Sequence, residues 1–264
     1  MTRFERLCVS GSKLLSVIIL IWAFWGPMKR VPSVVKNLPF AADYVSKMVP
    51  PDFSILPSLW VPLLETLQMA IVGTVTATAI ALPISFLAAE NTTPCVTILY
   101  MARGILSFLR SMPEIIWALL FVSLSGLGIL AGVFGIVCHT VGAMGKMFFE
   151  CIESAGPKMQ SEIEAMRIDG SSEVQIIRHG IVPEILPLVS SYTLYRFEST
   201  IRTSTIMGLV GAGGLGLELT MAVRMFRRQE ALAIILVIVA LVFCVDWASG
   251  QIRKHILSES GYTL

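Results

Sequence analysis

The stretch Glu164-Ala165-Met166-Arg167-Ile168-Asp169-Gly170 is a polar insert between hydrophobic segments, and Pro183 follows it thirteen residues after Gly170. Charged side chains are rarely buried without a partner, so this insert is expected to project into water. Segments long and apolar enough for a membrane lie on both sides of it. The insert therefore indicates a water-exposed loop between membrane spans.

The loop has the signals of two short helices. Pro157 suits the first turn of one helix, and Gly170 suits its end. Ser172 and Gln175 have the spacing of a capping box at the start of a second helix, which would run to about His179. We expect a protruding knob with a bend at Gly170, where glycine permits a backbone conformation that other residues resist.

The composition is that of a membrane protein. Of 264 residues, 55% are hydrophobic and 14% are charged, whereas soluble domains average about 25% charged residues. The net charge of +2 is too small to indicate a nucleic-acid partner. The predicted fold class is an all-α polytopic membrane protein, with residues 1–264 as a single transmembrane domain and its core at residues 62–250.

Six spans are expected. They are residues 14–26, 62–89, 95–109, 115–145, 185–200 and 231–250. The first resembles a signal peptide but lacks an Ala-x-Ala-like cleavage site, so it is interpreted as a retained helix. Residues 28–58 contain five prolines and are expected to lie along a surface. Residues 115–145 exceed one straight span, and Ser125-Gly-Leu-Gly128 is the expected break.

The segment from Thr203 to Gly216 is uncharged but rich in glycine. Such a segment does not form a stable helix throughout. Irregular backbone at membrane depth is tolerated only where it is buried in protein or lines a watery cavity. The segment is therefore a candidate lining of a pathway. Cofactor sites are not indicated: the five cysteines include no C-x-x-C pair, and neither a metal site nor a disulfide framework is expected.

Several motifs together resemble a known family. Glu164, Ala165, Gly170 and Pro183 match the EAA loop of ABC importer permeases in type and spacing. The segments that resemble phosphonate uptake permeases are residues 110–118, 126–132, 139–150, 191–198 and 201–216. The resemblance covers about residues 62–216, and close relatives in that group carry phosphite or hypophosphite.

The resemblance implies a type I ABC importer permease with the MetI-like fold. Residues 150–183 would be its cytoplasmic coupling loop. It implies several partners: two copies of a cytoplasmic ABC ATPase that bind ATP and Mg, a periplasmic solute-binding protein, a second permease copy and the lipid bilayer. The chain itself has no G-x-x-x-x-G-K-[ST] motif for nucleotide. It would lie in a bacterial inner membrane with both termini cytoplasmic.

The expected substrate pathway and gate consist of charged and glycine-rich positions. They are Glu198, Arg202, Met207, Gly208, Gly211, Gly213, Gly214 and Gly216. Glu198 and Arg202 are four residues apart, a favourable spacing for an ion pair. Such a pair would either offer Arg202 to a passing oxyanion or only lock two helices together. Amides of residues 211–216 would add an anion-binding nest.

A second pair, Arg110 and Glu114, is expected at a helix boundary. Two other classes of function stay open as alternatives. An intramembrane enzyme would need a catalytic motif, but neither H-E-x-x-H nor G-x-S-x-G occurs. The other alternative is a non-ATP channel or secondary carrier; secondary carriers often have inverted repeats, and these are not apparent.

Overall fold

The computed structural model describes the backbone of residues 3–158 and 160–259 and the side chains of residues 15–155 and 161–256. The chain divides into two compact units, Met1–Pro50 and Pro51–Leu264. The expected pathway and coupling residues fall in the second unit, as does the whole of the expected core at residues 62–250.

The first unit consists of one helix, α1 (Arg3–Ser46), which includes Pro27, Pro32 and Pro39. The expectation that prolines force residues 28–58 along a surface is wrong for the part up to Ser46. Residues Leu15–Ser46 are long and apolar enough to cross a membrane. These prolines lie at least five residues apart, more than a turn of about 3.6 residues. Each missing backbone hydrogen bond is thus flanked by intact turns.

The second unit begins with a 3₁₀ turn at Phe53–Leu59. Its helices are α2 (Trp60–Ala88), α3 (Val96–Ser111), α4 (Glu114–Ser125), α5 (Ile129–Lys158), α6 (Gln160–Ile168), α7 (Glu173–Ile176), α8 (Val182–Met207), α9 (Gly214–Arg224) and α10 (Arg228–Glu259). Throughout the described part of the chain, the elements are helices and turns without a β-strand.

The helices account for the expected number of spans. Leu15–Ser46, Phe53–Ala88, Ile129–Ala155 and Arg228–Ile256 are each long and apolar enough to cross a membrane. Two bent pairs raise the number to six: α3 with α4, bent by 86°, and the helical segment through α8 with α9, bent by 45°. The prediction of an all-α polytopic fold is confirmed. The expected break at Ser125-Gly-Leu-Gly128 is also confirmed, since α4 ends at Ser125 and α5 begins at Ile129.

Glycines allow α5 to pack closely against its neighbours. A Cβ atom at Gly135 would lie 2.8 Å from the backbone nitrogen of Ala118 on α4. A Cβ atom at Gly142 would lie 2.5 Å from the backbone nitrogen of Arg110 on α3. Small residues permit such approaches between membrane helices. With α2 along its other side, α5 forms the centre of the bundle.

Candidate functional site

The coupling-loop knob has the two short helices that the sequence predicts. Gly170 joins α6 to α7 with a φ of 82°, a conformation that suits glycine. Ser172 and Gln175 form the predicted capping box at the start of α7. An ion pair of 3.1 Å between Arg167 and Glu173 links the two helices across the bend.

The bounds of the knob differ from the prediction at both ends. Helix α5 continues to Lys158, so Pro157 lies near its end and does not begin the short helix. Residues Ile177–Ile181 form a π-helical turn that leads directly into α8, so the second helix does not stop at His179. Pro183 lies in the first turn of α8 and cannot donate to the preceding turn. A widened turn at this point is consistent with that missing donor.

The surface of the knob is exposed and partly apolar. Glu164 and Ala165 are exposed, and Ile168 and Val174 are 86% and 72% exposed. Among the described side chains, none forms a hydrogen bond or ion pair with that of Glu164. A solvated knob with bare aliphatic side chains has the character of a surface for a partner.

Two ion pairs join α8 to α10, and neither is the predicted one. Glu198 accepts a hydrogen bond of 2.6 Å from Arg253, and Arg202 Nη1 lies 2.9 Å from Asp246 Oδ2. The expected pair of Glu198 with Arg202 is therefore wrong. The reason is that α10 brings two charges of its own to α8. Cross-helix pairing satisfies all four charges, which are costly in apolar surroundings, whereas pairing within α8 would satisfy two.

The expected pair of Arg110 with Glu114 is also wrong. Glu114 Oε1 lies 2.8 Å from Arg196 Nη2 and 3.3 Å from His139 Nε2. Arg110 is exposed and belongs to α3, whereas Glu114 begins α4. Because α3 and α4 are bent by 86°, the spacing of four residues no longer places the two side chains on one helical face.

Glu114 instead belongs to a polar cluster between α4, α5 and α8. Arg196 Nη2 donates to Thr140 Oγ1 over 3.1 Å, and His139 Nδ1 lies 2.9 Å from the carbonyl oxygen of Met112. Sequence reasoning did not predict this cluster. One signal was available: Arg196 and His139 are ionisable residues within apolar spans, and such residues are functional candidates.

The glycine-rich segment lies at the end of the bundle opposite the knob. After α8, residues Gly208–Val210 make a 3₁₀ turn, and α9 begins at Gly214. Gly128, in the break between α4 and α5, donates its N–H to the carbonyl oxygen of Gly211 over 3.0 Å. The segment is therefore ordered and packed against a second irregular segment of the bundle.

Four of the six amides at residues 211–216 already donate to acceptors within the chain. The N–H of Gly214 donates to Glu65 Oε2 over 2.8 Å, and the N–H of Leu215 donates to Thr66 Oγ1 over 2.9 Å. The N–H groups of Gly211 and Ala212 donate to the carbonyl oxygens of Gly208 and Met207. The expectation of an open anion nest at residues 211–216 is therefore wrong for these four amides, which already have acceptors in the chain. The positive end of α9 is matched by a carboxylate of the same chain.

The segment also contains a very close backbone crossing. A Cβ atom at Gly216 would overlap the carbonyl oxygen of Thr205, and one at Gly208 would overlap the backbone of Gly216. Met207 is fully buried beside this crossing. Only glycine fits at either position without moving α8 relative to α9.

No group of three or more His, Cys, Asp or Glu side chains is placed to hold a metal ion in the described residues. The polar groups of the bundle form ion pairs and hydrogen bonds between helices. Such an arrangement can hold and move helices, and it can present charge to a passing solute.

The helical bundle, its bent pairs and the solvated knob define a class of protein, the membrane permeases of binding-protein-dependent importers. Residues 81–257 match the family described as binding-protein-dependent transport system inner membrane component, and the chain belongs to that family. It is the transmembrane permease subunit of an ABC importer.

Relatives with curated names agree with this class. The chain is 39% identical to the phosphite transport system permease protein PtxC of Stutzerimonas stutzeri, over 90% of this chain and 86% of that protein. It is 34% identical to the phosphate-import permease protein PhnE of Mycolicibacterium smegmatis, over 82% of this chain and 40% of that protein.

A solved structure confirms the fold. The chain superposes on a chain of the MetNI methionine ABC transporter with a TM-score of 0.68 at 20% sequence identity. The superposition covers 78% of this chain and 99% of that chain. The predicted type I importer permease fold is thereby confirmed.

Proposed function

We propose that this permease carries phosphorus oxyanions of the phosphonate and phosphite type. The observation that carries the proposal is the similarity to a phosphite permease over 90% of the chain. It agrees with the motif string at residues 110–216, which resembles phosphonate permeases. The motif resemblance makes phosphonate the first candidate substrate; phosphite or hypophosphite is the alternative, and the named relative supports phosphite.

The charged side chains of the bundle are consistent with an anionic substrate. Arg202 and Asp246 have side chains 46% and 42% exposed, although both helices belong to candidate spans. A charged pair facing hydrocarbon would be costly, so this face is expected to line water in a pathway. Arg202 would then offer guanidinium donors to a passing oxyanion, a geometry that favours phosphate-like groups. Met207 and the glycines at 208, 211, 213, 214 and 216 would form the gate beside it.

The proposed complex contains two copies of this permease, two copies of a cytoplasmic ABC ATPase and a periplasmic solute-binding protein. The ATPase would bind ATP and Mg and hydrolyse the nucleotide, since this chain has no nucleotide-binding motif of its own. The complex would lie in a bacterial inner membrane. Helix α10 is antiparallel to α8 and ends on the side of the knob, which supports a cytoplasmic position for the end of α10; the cytoplasmic N-terminus is proposed from the family resemblance alone.

The knob would couple this ATPase to the membrane helices. Glu164, Ala165, Gly170 and Pro183 hold the matched positions of the coupling loop. Exposed Ile168 and Val174 would enter an apolar cleft on the ATPase. Because the knob continues into α8 through a π-helical turn, its displacement would move the helix that contains Arg202.

The substrate is tested by reconstitution. The complete complex is reconstituted in liposomes, with ATP supplied on the side of the ATPase. It should take up labelled methylphosphonate, phosphite or hypophosphite, and the three uptake rates rank these substrates. Binding of the same three anions to the purified solute-binding protein gives an independent ranking. Uptake of none of them, with the ATPase active, would refute the proposed substrate class.

The composition is tested by mass. Native mass spectrometry of the detergent-solubilised complex should give two copies of this chain for two ATPases, as a two-fold symmetric pathway requires. One copy of this chain for two ATPases would contradict the homodimer and indicate a second, different permease.

A further inference from the structure

A cavity of about 510 Å³ lies between α5, α8 and α10. It is lined by Met147, Ser191, Tyr192, Tyr195, Arg253 and Lys254, among others. Its volume falls within the range of about 300–1,000 Å³ that is usual for small-molecule sites. Neither the expected pathway nor the coupling loop includes it.

The cavity extends from the middle of α8 to the part of α10 that is nearer to the knob. Ser191 and Tyr195 follow the start of α8 at Val182 by nine and thirteen residues, which is about 14–20 Å along a helix. Arg253 and Lys254 lie near the end of α10. Arg202 and the glycine-rich segment lie further along α8, toward the opposite end of the bundle.

The charges around the cavity sum to a positive value. Arg253 is paired with Glu198, and within the described residues Lys254 has no acidic partner. On α5, Met147 lies between Lys146 and Glu150, which pair with each other over 3.4 Å. Counting Arg253 and Lys254 against Glu198 leaves one uncompensated positive charge at the wall of the cavity.

The donors of the cavity suit a phosphate-type oxyanion. Arg253 has five N–H donors and uses Nη2 on Glu198, while Lys254 has three donors. Hydroxyl groups of Ser191 and Tyr195 add further donors, whereas the hydroxyl of Tyr192 is hydrogen-bonded to Cys151. The same wall presents the aromatic rings of the tyrosines and the thioether of Met147, which suit an apolar portion of a ligand.

We propose that this cavity binds a phosphate-type oxyanion, with Lys254 as the charge that selects it. The chemistry is shared by the headgroup of an anionic phospholipid and by a free phosphorus oxyanion. Basic pockets between membrane helices on the cytoplasmic side are typical sites for anionic headgroups. The comparison with such pockets rests on the proposed cytoplasmic position of the knob, whereas binding itself is measured on the permease alone, without the ATPase.

The test has two arms on the full chain. In the first, native mass spectrometry counts dioleoylphosphatidylglycerol retained against dioleoylphosphatidylcholine. In the second, equilibrium dialysis measures binding of labelled inorganic phosphate in detergent without added lipid. In whichever arm detects binding, Lys254→Gln should weaken the binding about fivefold. One lysine contributes about this factor to binding near an anionic surface. Lys254→Arg should retain binding, and Tyr195→Phe should weaken it.

Lys47→Gln is the matched control, since Lys47 pairs with Asp43 in the first unit. Thermal unfolding of each variant must match the wild type. A response in the lipid arm alone assigns the site to a headgroup, and a response in the phosphate arm alone assigns it to a free oxyanion. A response in both arms shows that the two ligands share the site. If Lys254→Gln changes neither arm, the proposal is overturned.

Discussion

Arg202 on α8 pairs with Asp246 on α10 through both carboxylate oxygens, at 3.1 Å to Oδ1 and 2.9 Å to Oδ2. One helical turn earlier on α8, Glu198 pairs with Arg253. The two pairs share one antiparallel register, but they differ in exposure. Glu198 is buried, whereas Arg202 and Asp246 are nearly half exposed. The first pair is enclosed in the contact between the helices, and the second is accessible from outside that contact.

Variants of Arg202 and Asp246 distinguish a role in transport from a role in packing α8 against α10. We expect Arg202→Ala to abolish anion uptake while the complex remains assembled. Arg202→Lys should restore uptake poorly, because lysine cannot offer an oxyanion two parallel N–H donors. The double variant Arg202→Asp with Asp246→Arg, which exchanges the two charges, should restore thermal stability but not uptake. Uptake by reconstituted complex and unfolding temperature are the two measurements. Full uptake by the exchanged pair would show that Arg202 only locks α8 to α10.

The polar cluster around Glu114 is expected to stabilise the bundle. The side chains of Glu114 and Arg196 are 22% and 14% exposed, and their ion pair spans 2.8 Å. Loss of one partner from a buried pair costs about 3–5 kcal/mol, and partial exposure lowers that value. Glu114→Ala and Arg196→Ala should each lower the unfolding temperature.

A double-substitution cycle tests that the two residues act on each other. The double variant Glu114→Ala with Arg196→Ala should lose less stability than the sum of the single losses, with an interaction energy of about 0.5–3 kcal/mol. Lys47→Ala is a control for charge removal at an exposed pair. Additive losses would show that the contact between Glu114 and Arg196 contributes no interaction energy.

Local features of the fold were predictable from sequence. The capping box at Ser172 and Gln175 and the break at Ser125-Gly-Leu-Gly128 depend on residues within a few positions of each other, and both predictions are confirmed. The partners of Arg202 and Glu198 depend instead on the register of α8 against α10. A spacing of four residues predicts neighbours on one helix, but it contains no information on charges that another helix supplies.

The same limit applies to the glycine-rich segment. Its irregular backbone was predictable from composition. The acceptor for the N–H of Gly214 was not, because Glu65 is 149 residues away in sequence. The prolines of α1 show the opposite error. Their presence predicted a broken segment, but their spacing leaves intact turns between them.

The bend at Gly170 gives a test of coupling. A β-branched residue is strained at a φ of 82°, at a cost of about 1–3 kcal/mol. Gly170→Val should leave the chain inserted in the membrane but reduce both ATPase co-purification and uptake. Gly104→Val is the matched control, because no atom lies within 4 Å of a Cβ atom at Gly104 and its φ is not in the left-handed region. Normal co-purification and uptake for Gly170→Val would show that the knob does not couple the ATPase to the membrane helices.

The carboxylate of Glu65 gives a test of the gate. It accepts the N–H of Gly214 at the start of α9 and so ties the glycine-rich segment to α2. Glu65→Ala would leave this partly buried donor unsatisfied, at a cost of about 1–3 kcal/mol. Glu65→Gln retains an acceptor but loses the charge that matches the positive helix end. We therefore expect stability to fall in the order wild type, Glu65→Gln, Glu65→Ala.

A loosened gate should also uncouple the complex. If the segment from Met207 to Gly216 closes the pathway, Glu65→Ala should raise ATP hydrolysis in the absence of the solute-binding protein and let preloaded anion leak from liposomes. Glu230→Ala is the matched control, because Glu230 forms an ion pair with Arg227 outside this segment. Leakage and ATPase activity equal to those of the wild type, together with a lowered unfolding temperature, would restrict Glu65 to a structural role. The gate would then be held by other contacts of the segment, such as the close crossing of Gly208 with Gly216.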